Sequence, residues 1–284
     1  MAKILIIGTG GVGGYFGGKM ARAGYDVTFV ARGEHLKQIK KNGLYVKSVL
    51  GDFQINPAQV TDDLTTDEKY DWIFIATKST TLQTIIPLLP NKIKPETMVV
   101  PLLNGIMAEE DIAISVSKEQ IIHAFVNVFS KIEAPGIIHH FGNQPFMEFG
   151  NAFHHNTKAL DALEEILQTS DIHYVRPENI WVDKWMKFML ICSGAITTLC
   201  RSTYDEVLQN PETRNLLQQL TEEIIELGRK KGIDLEPNAT QIIMQQFDGF
   251  PKGATSSMQR DFYAQKSTEL EYLTGSVVKL AAQV

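Results

Sequence analysis

The chain has little that would tie it to a disulfide framework, a membrane, a nucleic acid or a metal. Of its 284 residues only two are cysteine. Cys192 and Cys200 fall in what reads as a single helix, where eight residues rise about 12 Å, too far for a disulfide. A reduced, cytoplasmic protein is expected. No run of about 18 apolar residues occurs, so no transmembrane helix is expected. The N-terminus lacks a charged stretch followed by an apolar run and a cleavage site, so no signal peptide is expected. Basic residues are in the minority, 27 against 33 acidic, for a net charge of −6. That balance argues against nucleic acid or an acidic membrane as a partner. The seven histidines show no metal-ligand spacing. Two tandem pairs, His139–His140 and His154–His155, would point to opposite sides of a strand or lie about 100° apart on a helix. No metal is expected, and neither a G-x-S-x-G element nor a catalytic-cysteine setting is present.

What is present is ordinary in bulk and specific at one end. Apolar content of 44% and charged content of 21% suit a soluble globular protein. The length fits one large or two ordinary domains. Lys3 to Ile7 is an apolar run that leads into Gly8-Thr9-Gly10-Gly11-Val12-Gly13, then a helical stretch over 14–23, then a β-rich run over 27–30. Strand, glycine turn, helix and strand in that order form the dinucleotide-binding fingerprint in its required context. Gly8 permits the tight turn, Gly10 lets the backbone approach a pyrophosphate, and Gly13 lets helix and strand pack closely. The helix N-terminus offers N–H groups and a positive dipole end to the phosphates.

The end of the second strand points to one dinucleotide over the other. NAD-binding units usually place Asp or Glu there, bonded to the ribose 2′-hydroxyl. Here the position holds Ala31, followed by Arg32. A guanidinium pairs with a 2′-phosphate that a carboxylate would repel. Lys78, after the buried-looking strand over 72–76, is a second cation for the same phosphate. Each alone also reads as a surface charge. Together they favour NADP(H).

Along the chain, residues 1–175 alternate apolar runs with amphipathic stretches, the pattern of a parallel sheet with crossover helices. Further strands are expected over 99–103, 121–129, 136–141, 145–149 and 172–175, with hairpins closing the sheet, and a helix over 157–167. From 176 to 284 the chain reads as almost wholly helical, over 180–198, 211–231, 237–247 and 259–282. The expected fold class is therefore α/β: a Rossmann-type doubly wound domain followed by an all-helical domain. The sequence stops inside an apparent helix, so a truncated C-terminus is expected.

Lys187 stands out in the nearly apolar run over 185–195. At 100° per residue, Ile191, Gly194, Ala195 and Thr198 fall near its helix face. One reading is a snorkelling surface lysine. The other is a desolvated general acid, since burial lowers a lysine pKa toward the working range of proton transfer. Asn104 follows a parallel strand and so sits at the carboxyl-end crevice where doubly wound sheets bind ligands; it also reads as a turn residue before Gly105.

GTGGVG at the N-terminus, VTFVARGEHL, PLLNG at 101–105, a W-x-K helix, SSMQRD at 256–261 and TELEYLTG at 268–275 together resemble the ketopantoate reductase (2-dehydropantoate 2-reductase) family. The resemblance covers essentially the whole chain. It implies an NADPH-dependent reduction of a 2-oxo acid, by default 2-dehydropantoate to pantoate in coenzyme A biosynthesis. It implies that Lys187 gives a proton to the keto oxygen as NADPH delivers hydride. Asn104 would bridge the nicotinamide side and the lysine. Glu269 would bond to cofactor ribose or to the lysine, Ser257 would contact the substrate carboxylate, and Ser130 would lie against the nicotinamide end. Without the resemblance, Ser257 reads as a helix cap and Glu269 as a solvated helix face.

One departure bears on the substrate. The family usually carries asparagines four and eight residues after the lysine, which hold polar groups of ketopantoate. Here those positions are Ile191 and Ala195, while Asp205 falls near where another substrate-binding asparagine is often found. The pocket is expected to be more apolar or roomier, with Thr198 or Ser257 left for the polar end. Two alternatives stay open: the same chemistry on a more apolar carbonyl compound, and a non-enzymatic NADP(H)-binding sensor. The expected partner is a small 2-oxo acid. The sequence leaves the oligomeric state open, a homodimer included.

Overall fold

The computed structural model describes every residue except Ala152, His154 and His155, so the second histidine pair lies outside the described residues. The chain divides into two compact units, Met1–Leu103 with Ala108–Ile180, and Asn104–Met107 with Trp181–Val284. The change near residue 180 lies a few residues beyond the boundary read at 175. The short excursion at Asn104–Met107 has no counterpart in the sequence reading.

The first unit runs β1 (Lys3–Ile7), α1 (Gly11–Arg22), β2 (Asp26–Val30), α2 (Gly33–Asn42), β3 (Leu44–Ser48), β4 (Phe53–Ile55), β5 (Gln59–Thr61), β6 (Trp72–Ile75), α3 (Ser79–Ile85), β7 (Met98–Pro101), α4 (Ala108–Ile112), β8 (Ile122–Asn127), β9 (Ser130–Ala134), β10 (Ile137–His140), β11 (Phe146–Asn151), α5 (Thr157–Thr169) and β12 (His173–Val175). The central sheet has the order β5-β2-β1-β6-β7, parallel at every pairing. The chain goes one way from β1 through β2 to β5, then crosses to β6 and β7 on the other side. The switch point lies between β1 and β6, where open α/β sheets bind ligands. β6 and β7 are buried along their whole length and β1 from Ile4 on. Continuous apolar runs, rather than alternation, mark strands covered on both faces.

The strands expected to close this sheet as hairpins instead form two others. One has the order β4-β3-β10-β9, the other β12-β11-β8. A single parallel bridge, Val99 to Ile121, links the edge of the central sheet to the chain entering β8. β3, β4 and β5 were not legible as strands: β4 and β5 have three residues each, too short for a period to show.

Helix α1 is held between two sheets, and its glycines explain how. A Cβ on Gly13 would collide with the Gly8 carbonyl, and one on Gly17 would lie 2.7 Å from Ile6 of β1. A Cβ on Gly14 would lie 2.6 Å from Ile138 of β10, and one on Gly18 3.1 Å from Phe53 of β4. Two glycine pairs, each four apart, therefore make two bare stripes, one for each sheet. Helical glycine costs about 0.5–1 kcal/mol against alanine, a cost accepted where a side chain cannot fit.

The second unit contains α6 (Ile180–Cys192), α7 (Gly194–Cys200), α8 (Tyr204–Gln209), α9 (Pro211–Lys230), α10 (Ala239–Asp248), α11 (Ser257–Tyr263) and α12 (Thr274–Ala281). Their core gathers Trp185, Phe188, Tyr204, Phe247 and their aliphatic neighbours. Trp185 fits against α9 because position 228 is glycine, where a Cβ would lie 3.0 Å from the indole. The helix expected over 259–282 is two short helices. The helix expected over 180–198 is also broken, at Ser193. The Ser193 hydroxyl donates to the Leu190 carbonyl at 2.5 Å, and its own N–H reaches Met189 O at only 3.4 Å. Such back-bonding by serine competes with the helical ladder and bends it. Cys192 and Cys200 are thus on consecutive helices, both as free thiols. Among the described residues no helix is long and apolar enough to cross a membrane, and no group of three His, Cys, Asp or Glu could hold a metal.

Candidate active site

In the first unit the candidate site begins at the turn from β1 to α1. The Thr9 N–H donates to Val30 O at 3.1 Å, and the Thr9 hydroxyl donates to the same carbonyl at 2.9 Å. The Thr9 side chain is therefore turned inward and used up, and only its backbone faces the turn. Gly8 sits at φ +99°, where a Cβ would meet the Ala76 carbonyl and Thr77. A Cβ on Gly11 would lie 2.5 Å from the Ser130 carbonyl oxygen. At Gly10 a Cβ would meet nothing within 4 Å. Gly8, Gly11 and Gly13 are packed, and Gly10 is the open position, as an approaching pyrophosphate requires. Val12 is half-buried beside it on the first turn of α1.

Two buried hydroxyls at this turn lack a partner, Thr77 Oγ1 and Ser130 Oγ. Buried polar groups are normally hydrogen-bonded, and an orphan one calls for an explanation. Both lie against the glycine turn, Thr77 beside Gly8 and Ser130 beside Gly11. A ligand rich in acceptor oxygens at the turn would satisfy them. The residues present thus fit a dinucleotide. Ser130 was expected against the nicotinamide end of the cofactor, and it stands instead beside Gly11; Thr77 was missed, although a threonine two residues after a buried parallel strand was a readable signal.

At the end of β2, Ala31 is buried and Arg32 is exposed as the residue preceding α2. Lys78 is exposed in the equivalent place before α3. No carboxylate occupies the end of β2. His35, on the first turn of α2, was also missed. Its Nε2 lies 2.8 Å from Thr9 O and its Nδ1 accepts from Gly136 N–H at 2.9 Å. Burial holds its pKa below the ordinary histidine value, opposed by the bond to the Thr9 carbonyl.

In the second unit, Asn104 is half-buried three residues after the end of β7. The next residue, Gly105, lies close to Tyr272 and Leu273, each of which would be 3.4 Å from a Cβ at that position. The amides of Tyr272 and Leu273 in turn donate to the Glu269 carbonyl. The Asn104 loop and the Glu269 turn are thereby brought together. Ile106 joins Trp185, Phe188 and Met189 of α6 in one apolar cluster, which ties the same loop to the helix bearing Lys187. Lys187 and Glu269 are both half-buried. Trp185, Phe188 and Met189 take the core side of α6.

Ile191 follows Lys187 by one helical turn and is half-buried. Ala195 does not continue that line on a straight helix, since Ser193 intervenes. It is 7% exposed and belongs to the core of the second unit. The Thr198 hydroxyl donates to Gly194 O at 2.6 Å, which leaves it only acceptor capacity for a ligand. Ser257 is exposed at the first position of α11. Its neighbour Ser256, not Ser257, caps that helix, accepting from Gln259 N–H at 3.0 Å. Ser256 also packs on Gly194, so Ser257 is carried next to the start of α7. Asp205 accepts from Gly253 N–H at 2.8 Å and holds the loop before α11.

Comparison with known proteins agrees with this layout. The model of the ketopantoate reductase PanE/ApbA family matches residues 4–152, and that of the PanE/ApbA C-terminal domain matches residues 179–284. "Uncharacterized oxidoreductase YkpB" of Bacillus subtilis is 30% identical over 99% of this chain and 93% of its own length. The 2-dehydropantoate 2-reductase of Nostoc sp. is 27% identical over 99% of this chain and 89% of its own. D-mandelate dehydrogenase, solved with NADH and anilino(oxo)acetate, shares the fold with a TM-score of 0.88 at 23% identity, over 99% of this chain and 92% of its own. The chain is an oxidoreductase of the nicotinamide-dependent kind, and it belongs to the ketopantoate reductase PanE/ApbA family.

Proposed function

We propose that the chain reduces a 2-oxo acid to a 2-hydroxy acid with NADPH, 2-dehydropantoate being the default substrate. The observation that carries the reading is the open Gly10 between two partnerless buried hydroxyls, Thr77 and Ser130, on a turn with Arg32 and no carboxylate at the end of β2. Arg32 and Lys78 supply cations for a 2′-phosphate, and Gly8 to Gly13 supply the backbone for the pyrophosphate. The bound nicotinamide provides the hydride. Lys187 Nζ gives the proton to the keto oxygen and, as a cation, attracts the substrate carboxylate. Asn104 and Glu269, on the loop and turn packed together, orient the lysine and the cofactor ribose. Ser257 bonds the carboxylate. The first unit is the nucleotide domain and the second the catalytic domain.

A second reading of the substrate is favoured by Ile191. An aliphatic side chain one turn from the proposed acid cannot bond a substrate hydroxyl, so a 2-oxo acid with a branched or aromatic tail fits at least as well. D-mandelate dehydrogenase, of the same fold, was solved with an oxo acid bearing an anilino group. The experiment is NADPH oxidation against a panel of 2-oxo acids, including 2-dehydropantoate and its analogue lacking the 4-hydroxyl. Turnover with none of them overturns the reductase assignment. Turnover confined to apolar tails selects the second reading.

A further inference from the structure

We infer that His35 is a positioning residue for the dinucleotide: by holding the Thr9 carbonyl it sets the direction of the Gly10 amide. The inference rests on the reading that this glycine turn receives the pyrophosphate. His35 stands between two backbone groups of opposite kind, Thr9 O at 2.8 Å from Nε2 and Gly136 N at 2.9 Å from Nδ1. A carbonyl only accepts and an amide only donates. The ring is therefore neutral, with its hydrogen on Nε2.

The consequence for the turn follows from peptide geometry. The peptide joining Thr9 to Gly10 is planar and trans, so the Gly10 N–H points opposite to the Thr9 carbonyl. Pinning the carbonyl toward His35 aims that N–H away from α2. Gly10 is the residue whose missing side chain opens onto free space. The Thr9 N–H and hydroxyl fix the other end of the residue to Val30 O. Both peptide planes flanking Thr9 are thus held by bonds, one by β2 and one by His35.

The other nitrogen of His35 serves the wall of the same turn. Gly136, at φ +81°, is the turn between β9 and β10, and it packs on Gln38 of α2. β9 begins at Ser130, which covers Gly11. One imidazole therefore locks the turn and the strand that walls it to the same helix. Arg32, three residues earlier, is assigned to the 2′-phosphate, which NADPH alone carries. His35 acts on the part of the cofactor that NADH and NADPH share. That difference separates the two roles.

The test measures Kd for NADPH and for NADH by nicotinamide fluorescence, with the melting temperature of the free protein alongside. The variants are His35→Leu, His35→Phe and His35→Gln. Loss of the donor in His35→Leu is expected to weaken both nucleotides by about tenfold and by the same factor. His35→Gln retains an amide N–H of similar reach and is expected to recover affinity to within about threefold. If His35→Leu does not fold, His35→Phe, planar and without polar atoms, takes its place. Unchanged Kd values in a folded Leu or Phe variant, with only the melting temperature lowered, make His35 a mere latch and overturn the inference. So does a loss confined to NADPH. A native protein that binds neither nucleotide overturns the dinucleotide reading itself, and this inference with it.

Discussion

The turn after β1 and the bend between α6 and α7 serve the same proposed reaction but are built on opposite principles. The turn is made of backbone. Its shape comes from glycines that leave no room for a side chain, from Thr9 bonded twice to Val30, and from His35. Such a structure tolerates little change, because a Cβ on Gly8, Gly11 or Gly13 would strike a backbone carbonyl, and Gly10 alone opens onto free space. The bend is made of side chains on helices, and its backbone is loosened at Ser193. Ile191 and Thr198 are side chains on its surface that are only partly buried, so the backbone does not depend on their identity as it does on the glycines of the turn. With the cofactor proposed on the first kind of structure and the substrate on the second, exchange of a few side chains would change the substrate and leave the chemistry in place.

The largest effect that would sharpen this contrast is at Lys187. Lys187→Ala is expected to lower kcat by about 10²–10⁴, the usual worth of a positioned acid, and to leave the Kd for NADPH within about twofold. Single-turnover NADPH oxidation and equilibrium binding measured together check it. Normal chemistry in the variant would return Lys187 to a surface lysine with a partly buried stem. The division of labour between the two regions would then fall.

Next in size is Arg32. Removing one charge-assisted contact costs about 1.5–3 kcal/mol, so Arg32→Ala is expected to weaken NADPH by about ten- to a hundredfold and NADH hardly at all. Titration of both nucleotides decides it. An equal loss for both would mean that Arg32 shapes the turn instead of reading the 2′-phosphate, and Lys78 would be left as the cation proposed for that phosphate.

These two regions also differ in how much the sequence revealed. The turn was legible because a glycine spacing between a strand and a helix has few other physical explanations. The parallel sheet was legible for a similar reason, since β1 and β6 are unbroken apolar runs. β4 and β5 were not, because three residues carry no period. The double glycine stripe of α1 was present in the letters but has meaning only once a second sheet lies over it. The bend was misread for a local reason: a serine and a glycine within an apolar helical pattern cost little, so the pattern ran on to Thr198 across a break it could not show. His35 escaped notice because both of its partners are backbone groups, Thr9 O and Gly136 N, which no side-chain pattern encodes.

The bend can be probed by restoring one amide. Ile191→Asn places a donor one turn from Lys187, where a substrate hydroxyl left unpaired costs about 1–3 kcal/mol. The ratio of kcat/KM for 2-dehydropantoate over its analogue lacking the 4-hydroxyl is expected to rise by about five- to a hundredfold. Ala195→Asn is expected to do otherwise. Ala195 is part of the core, so the amide would be buried among apolar groups and the melting temperature would fall without a gain in selectivity. If the native protein already prefers 2-dehydropantoate by a hundredfold or more, other residues hold the hydroxyl and Ile191 does not face the tail.

The smallest expected effect concerns pH and returns to the turn. Burial keeps the folded His35 below its unfolded value of 6.5. Between those two values the unfolded chain binds a proton that the folded protein refuses. Stability therefore rises with pH across that window, and falls as pH drops from 6.5 toward the folded pKa. The structural cause is on Nδ1: once protonated it can no longer accept from Gly136 N–H, whereas Nε2 still donates to Thr9 O. The informative quantity is a difference, because it removes every contribution that the two proteins share. The melting temperature of the native protein minus that of His35→Gln is expected to decline as pH is lowered from 7 to 5.5, because glutamine has no proton to take up. A difference that stays flat would place the folded pKa of His35 at its ordinary value. The bond from Gly136 would then contribute nothing to holding the hairpin on α2, and the backbone region would be less rigidly determined than its distances indicate.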